Sequence, residues 1–194
     1  MRKLRFNRFV VFATAFVLLA VCQSMADAQG AETRRLDQIE QVLKPDVPRL
    51  ICLDEQFATG GQPTDFAYAK AAANGFRSVL SLRTGSEGVD LFRERALVEK
   101  NKLRYFNIPV ISSAPQPKQA DEFIRLVKDP SNHPMLINCA TANRVGAFMM
   151  IYRVLEQGWT EDKALDEAIK IGTTTETLKK FAHDYIAQHT RNAG

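Results

Sequence analysis

The chain reads as an α/β protein built on a mostly parallel sheet covered on both faces. Two patterns carry that reading. From Leu50 onward, short apolar runs alternate with helix-like periodicity, the spacing of βαβ crossovers. Beyond Val145 the pattern is almost wholly helical. No linker or shift in hydrophobicity divides residues 50–194, so they form one domain.

The elements follow in order. Leu50–Leu53 and Phe57–Thr59 are short strand candidates that suit a hairpin. Gly60-Gly61-Gln62-Pro63 is a turn, and Thr64 is placed to cap a helix over Asp65–Asn74 that Gly75 ends. Ser78–Leu82 is a strand, Asp90–Asn101 a helix with Leu91, Ala96 and Leu97 among its apolar positions, and Leu103–Val110 a strand. Pro117–Lys128 is a helix with proline in its first turn and Phe123, Leu126 and Val127 facing inward. Pro134–Asn138 is a buried strand. Val145–Gln157 is an apolar helix stopped by Gly158. Helices near Thr160–Lys170 and Thr175–His189 complete the chain. Residues 29–49 are a polar, then proline-punctuated lead-in, with a helix near Arg34–Leu43.

Residues 1–28 read as a secretory signal. Arg2, Lys3, Arg5 and Arg8 form a basic start, Phe9 to Cys22 is apolar apart from Thr14, and Ala26-Asp27-Ala28 supplies a small-x-small cleavage site. Such a run is short for a bilayer core, which takes about 20 helical residues. Cleavage after Ala28 would leave a periplasmic or secreted domain. An uncleaved anchor and lipidation at Cys22 stand as alternatives, since Leu19-Ala20-Val21-Cys22 resembles a lipobox with Val21 in place of a small residue.

Composition excludes several classes. With 45% hydrophobic residues, 10 Gly and 8 Pro among 194, the chain is neither disordered nor fibrous, and 3 Cys are too few for a disulfide scaffold. The net charge of +4 belongs mostly to the leader. Without residues 1–28, 22 basic and 21 acidic residues remain. No basic run with interleaved aromatics is left, so neither nucleic acid nor, after leader removal, a membrane is an expected partner. His133, His183 and His189 are scattered, without metal-ligand spacing, so neither a metal nor another cofactor is expected. Trp159 and the stripe Phe148, Met149, Ile151 and Tyr152 read as core.

The stretch that carries chemistry is Asn138-Cys139-Ala140-Thr141-Ala142-Asn143-Arg144-Val145-Gly146. An apolar strand runs into a cysteine, then a tight loop of small residues, then an arginine that opens a helix. Loop amides and the helix N-terminus would favour a thiolate at Cys139 and hold an anion. Arg144 adds a fixed charge and a planar fork suited to phosphate or another oxyanion.

With Gly60-Gly61-Gln62-Pro63, Gly75-Phe76-Arg77-Ser78-Val79-Leu80-Ser81-Leu82-Arg83 and Tyr105-Phe106-Asn107-Ile108-Pro109-Val110, this loop resembles the bacterial dual-specificity and tyrosine-phosphatase-like family. The nearest group is the small phosphatase domains related to β-lactamase hydrolase-like proteins. The resemblance spans roughly residues 50–172 and implies a Cys-dependent phosphatase fold with a four- to five-stranded sheet. It implies Cys139 as nucleophile and Arg144 as transition-state stabiliser. The backbone of Ala140, Thr141, Ala142, Asn143, Val145 and Gly146 would bind the phosphoryl group. Asn138, Gln62, Arg83 and Ser112 are expected as supporting residues.

The chain departs from the family pattern in four ways. Four residues, not five, separate Cys139 from Arg144. Asn138 replaces the usual histidine, and Ala142 the usual glycine. The aspartic general acid expected after Val110 is absent from Ile111-Ser112-Ser113-Ala114-Pro115, leaving Glu87, Asp90, Asp121 and Glu122 as substitutes. A slow phosphatase with aryl preference is therefore expected. The alternatives are an anion- or partner-binding pseudophosphatase and a rhodanese-like sulfurtransferase, whose loop has this length. The two cysteines of the mature chain, Cys52 and Cys139, leave open a disulfide in an oxidising compartment.

Overall fold

In the computed structural model, residues 28–191 are described. The leader therefore lies outside the described residues, apart from Ala28. The chain divides into two compact units, Met1–Gln38 and Ile39–Gly194. Residues 28–38 of the first are helical, and helix α1, over 28–43, supplies its last residues to the second. All that follows concerns the second unit.

Its core is a five-stranded sheet in the order β1-β2-β5-β3-β4. The strands are β1 (Ile51–Cys52), β2 (Phe57–Gly60), β3 (Ser78–Ser81), β4 (Arg104–Asn107) and β5 (Met135–Asn138). Strands β2, β5, β3 and β4 run parallel, and β1 closes one edge antiparallel, Ile51 against Thr59 and Cys52 against Ala58. The helices are α2 (Asp65–Ala73), α3 (Leu91–Lys100), α4 (Pro117–Lys128), α5 (Asn143–Gln157), α6 (Glu161–Ile171) and α7 (Glu176–Arg191). This is the α/β fold, with its mostly parallel sheet, that the sequence pattern predicts.

The pleat sorts side chains onto two faces. Phe57, Leu80, Met135, Ile137 and Cys139 pack with α4, α5, α6 and α7. Ala58, Val79, Tyr105 and Leu136 pack with α1, α2 and α3. β5 is central and completely buried, which explains its unbroken apolar run. Ile39, Leu43, Val47 and Leu50 belong to the second face, so part of the lead-in packs into this core.

Helix α5 is buried from Arg144 through Arg153. It approaches α6 closely because residue 146 is glycine: a Cβ there would lie 2.3 Å from Thr173 Oγ1 and 2.5 Å from the Ala168 carbonyl. Two local expectations change. Strand β4 ends at Asn107, although Ile108 N–H still donates to the Ser81 carbonyl at 3.0 Å and Val110 N–H to that of Leu82 at 3.3 Å. Thr64 does not cap α2 with its side chain; its hydroxyl donates instead to Asp46 at 2.7 Å, and Lys70 holds the same carboxylate. Hydrogen bonds from Lys70 and Thr64 keep Asp46 below the usual carboxylate range.

Candidate active site

β5 delivers the chain to Cys139 at the carboxyl edge of the parallel strands, where α/β sheets bind ligands. The loop 139–142 then turns into α5. Two backbone bonds fix it to the Gly60-Gly61-Gln62 segment, and a third ties that segment to Pro48. Cys139 N–H donates to the Gly60 carbonyl at 3.3 Å, Gln62 N–H to Ala140 at 3.2 Å, and Gly61 N–H to Pro48 at 2.7 Å. A Cβ on Gly61 would stand 3.0 Å from the Ala140 carbonyl, so a side chain there would push the loop away. The double glycine is thus loop support as well as a turn.

The loop turns through Ala142 at φ 65°, ψ −1°, a left-handed conformation that costs a non-glycine residue about 1–2 kcal/mol. Residues 143–145 occupy the first turn of α5, so their N–H groups have no intrahelical acceptor and remain free for an anion. Gly146 is the fourth residue, and its N–H donates to Ala142 at 3.1 Å. Its expected phosphate contact is therefore corrected: Gly146 is a packing residue where α5 meets α6. The Asn143 side chain also turns away from the loop. Its Nδ2 donates to Thr175 Oγ1 at 2.5 Å and its Oδ1 accepts from Thr174 N–H at 3.1 Å, which tethers the start of α5 to the α6–α7 connection. Ala140 is half-buried and Thr141 exposed, with Thr141 bridged to Gly61.

Arg144 is buried, at 3% exposure. Its Nη1 donates to Glu87 Oε1 at 2.7 Å, to the Val110 carbonyl at 2.7 Å and to the Leu82 carbonyl at 3.0 Å, while Nη2 reaches Glu87 Oε2 at 2.7 Å. An arginine carries five N–H donors. The Nε–H and the second Nη2–H take part in none of these bonds. Burial works against the Arg144 charge, but Glu87 and the nearby Cys139 outweigh it and hold the guanidinium above the usual arginine range.

Glu87 is the partner that sequence reasoning misassigned. Burial raises its pKa, but hydrogen bonds from Arg144 and Thr84 overcome that and bring it down to about 2. A carboxylate so held is ionised near neutrality and has no proton to give. The other candidates have partners of their own. Asp90 caps α3, accepting from Arg93 N–H at 2.9 Å. Asp121 accepts from the Tyr185 hydroxyl, and exposed Glu122 pairs with Arg125 at 4.0 Å. Ser112 lies in the turn beyond Val110 and, among the described residues, no hydrogen bond joins it to the loop. The clue to Glu87 was the Thr84-x-x-Glu87 capping box directly after Arg83.

Gln62 and Arg83 continue the clamp. Arg83 Nη2 donates to the Glu87 carbonyl at 3.0 Å, and its Nε lies 2.8 Å from Glu87 Oε2. Arg83 Nη1 donates to Gln62 Oε1 at 2.9 Å, and Gln62 Nε2 to Glu94 Oε1 at 2.8 Å. Buried Glu94 also accepts from Tyr68 at 2.8 Å and Tyr105 at 2.6 Å. Burial, then Glu94, pushes both phenols well above the usual tyrosine range. A chain of charge-assisted bonds therefore runs from a buried carboxylate to the arginine of the loop. Asn138 is not in it. The residue is buried on the Leu136 face, behind the loop, and among the described residues its amide atoms have no hydrogen-bond partner.

Cys52 lies two strands from Cys139 and three residues out of register with it. That separation is about 14 Å, twice the span a disulfide closes. The histidines serve packing: His133 meets Phe57 edge-on, His189 stacks on Tyr185, and His183 pairs with Glu161. Among the described residues no three or more His, Cys, Asp or Glu gather as metal ligands.

Comparison with known proteins agrees with this geometry. Structures of similar fold include a DUF442 protein from Shewanella putrefaciens CN-32, at 17% identity and TM-score 0.64, covering 74% of this chain and 92% of its own. P. aeruginosa TpbA matches at 21% identity and TM-score 0.58, covering 73% and 84%. The core catalytic domain of the S. cerevisiae PP-IP phosphatase SIW14 matches at 14% and 0.62, covering 76% and 94%. No curated protein matches. The family profile described as "DSP-PTPase phosphatase fused to NAD+ Kinase" matches residues 50–189, well over half of the sequence. With its Cys-x4-Arg loop at the sheet edge and its phosphatase-type fold, the chain belongs to this DSP-PTPase family.

Proposed function

We propose that this protein is a Cys-dependent phosphatase that hydrolyses phosphate monoesters slowly, with a preference for aryl esters. The observation that carries the reading is Arg144, clamped on one edge by Glu87 and by two carbonyls, with the other edge uncommitted beside Cys139.

The Cys139 thiolate attacks phosphorus. The S–P bond forms as the ester P–O bond breaks, and the leaving oxygen carries off the electron pair. The first-turn amides and the free edge of Arg144 stabilise the charge on the equatorial oxygens. Water then attacks the phosphocysteine, releasing phosphate and the thiolate. A phenolate leaves without protonation, whereas an alkoxide needs a proton. The slow, aryl-selective reading is supported by the commitments of Glu87, Asp90, Asp121 and Glu122. The leader in residues 1–28, and a periplasmic or secreted setting, belong to the same reading.

The test is turnover under full reduction. Wild type should hydrolyse p-nitrophenyl phosphate and process phosphoserine at least about 10²-fold more slowly, as expected when general-acid help is missing. Cys139→Ser should abolish both. Brisk phosphoserine turnover that depends on Cys139 would refute slow catalysis. Vanadate binding without turnover would make the chain a pseudophosphatase, and thiosulfate-to-cyanide transfer would make it a sulfurtransferase.

A further inference from the structure

Arg49 lies in the lead-in, outside the residues matched by the family profile, yet it reaches the loop. Its backbone is left-handed, at φ 56°. Val47 and Leu50 on either side are buried at 0% and 2% exposure, and the Pro48 carbonyl accepts from Gly61 N–H at 2.7 Å. Three anchors therefore hold an unfavourable backbone conformation in place and set the direction in which the exposed Arg49 side chain leaves it.

That direction is toward the Cys139 loop. The guanidinium lies across Gly172. A Cβ on Gly172 would come within 3.0 Å of Arg49 Nε, 3.2 Å of its Nη2 and 3.1 Å of the Thr141 carbonyl. Arg49 and the loop thus flank one notch that only glycine leaves open. Among the described residues no acceptor is bonded to the Arg49 guanidinium. The other arginines near the loop differ, since Arg83 and Arg144 are both committed to Glu87.

We propose that Arg49 is a specificity residue that binds a second anionic group next to the phosphoryl site, favouring phosphate esters or anhydrides that carry another phosphate close to the scissile one. The inference rests on the phosphatase reading of the Cys139 loop. An uncommitted guanidinium beside the Cys139 loop can add a bidentate contact to a second phosphate.

The test is calorimetric titration of the full chain carrying Cys139→Ser with orthophosphate and with pyrophosphate. Pyrophosphate should bind about tenfold more tightly, the scale of one added charge-assisted contact. Arg49→Gln keeps most of the stem and removes the charge. It should erase that advantage while orthophosphate affinity changes less than about twofold, and Arg49→Lys should restore part of it. An advantage that survives Arg49→Gln overturns the assignment, as does an equal fall in both affinities, which would mark a general field effect. Binding of neither anion overturns the phosphoryl-site reading, and this inference with it.

Discussion

Helix α5 carries two arginines, Arg144 near its start and Arg153 near its end, each 3% exposed. Arg153 spends all but one Nη1–H of its fork on the protein. Its Nε and Nη2 grip Glu167 at 2.8 and 3.2 Å, Nη2 also reaches Asp54 at 3.0 Å, and Nη1 donates to Gln157 at 2.7 Å. Its guanidinium also lies 4.7 Å from the Trp159 ring centroid. Arg144 is equally buried but keeps one edge free. The contrast shows that burial and pairing alone do not distinguish a structural arginine from a binding one. The distinction lies in which donors remain after the protein has taken its share.

The sharpest way to break the comparison is to remove each arginine in turn. Arg144→Ala should lower kcat/KM for an aryl phosphate by about 10²–10³-fold, the loss seen when a transition-state donor is deleted. Its stability cost should be below that of the Arg153 variant, because Glu87 is partly exposed and keeps Arg83, so that the main loss is the donor to the Leu82 and Val110 carbonyls. Arg153→Met should do the reverse. Leaving Glu167 and Asp54 without their cation should cost about 3–5 kcal/mol in urea unfolding, with kcat/KM unchanged. Equal catalytic losses in the two variants would show that Arg144 also acts through packing.

Glu87 sharpens the comparison, since it sets which edge of Arg144 is taken. Glu87→Gln should reduce kcat/KM by about 10- to 100-fold through loss of the positioned guanidinium. The pH dependence separates clamp from acid. A carboxyl lowered from its ordinary 4.5 to about 2 contributes stability that is full above pH 4.5 and is lost as pH falls toward 2. The pH–rate profile above pH 5 should therefore keep its shape in Glu87→Gln. Disappearance of an alkaline limb in that variant would restore Glu87 as a proton donor.

The smallest expected effect concerns the turn ahead of Arg144. Ala142→Gly relieves a left-handed alanine but frees the unfolded chain, for a net gain of about 0.5–1 kcal/mol. A loss of stability on thermal or urea unfolding would mean that the Ala142 methyl group, fully buried in the core, contributes more than the strain costs.

The amino-acid sequence alone determined the alternation of strands and helices, because hydrophobic period, proline and glycine act locally. It also singled out Cys139 and Arg144, since a small-residue loop between an apolar strand and an apolar helix is a local signature. Only the tertiary structure decided what the remaining polar residues do. Glu87 lies 57 residues from Arg144, and Glu94 lies 32 from Gln62. Gly146 changed from a loop residue to a packing residue once α6 was set against it. Arg49, in a segment that reads as a lead-in, arrives at the loop through Pro48 and Gly61. The physical reason is the same in each case. Whether a carboxylate donates a proton, caps a helix or clamps an arginine depends on the partners around it, and parallel crossovers bring those partners from distant parts of the chain.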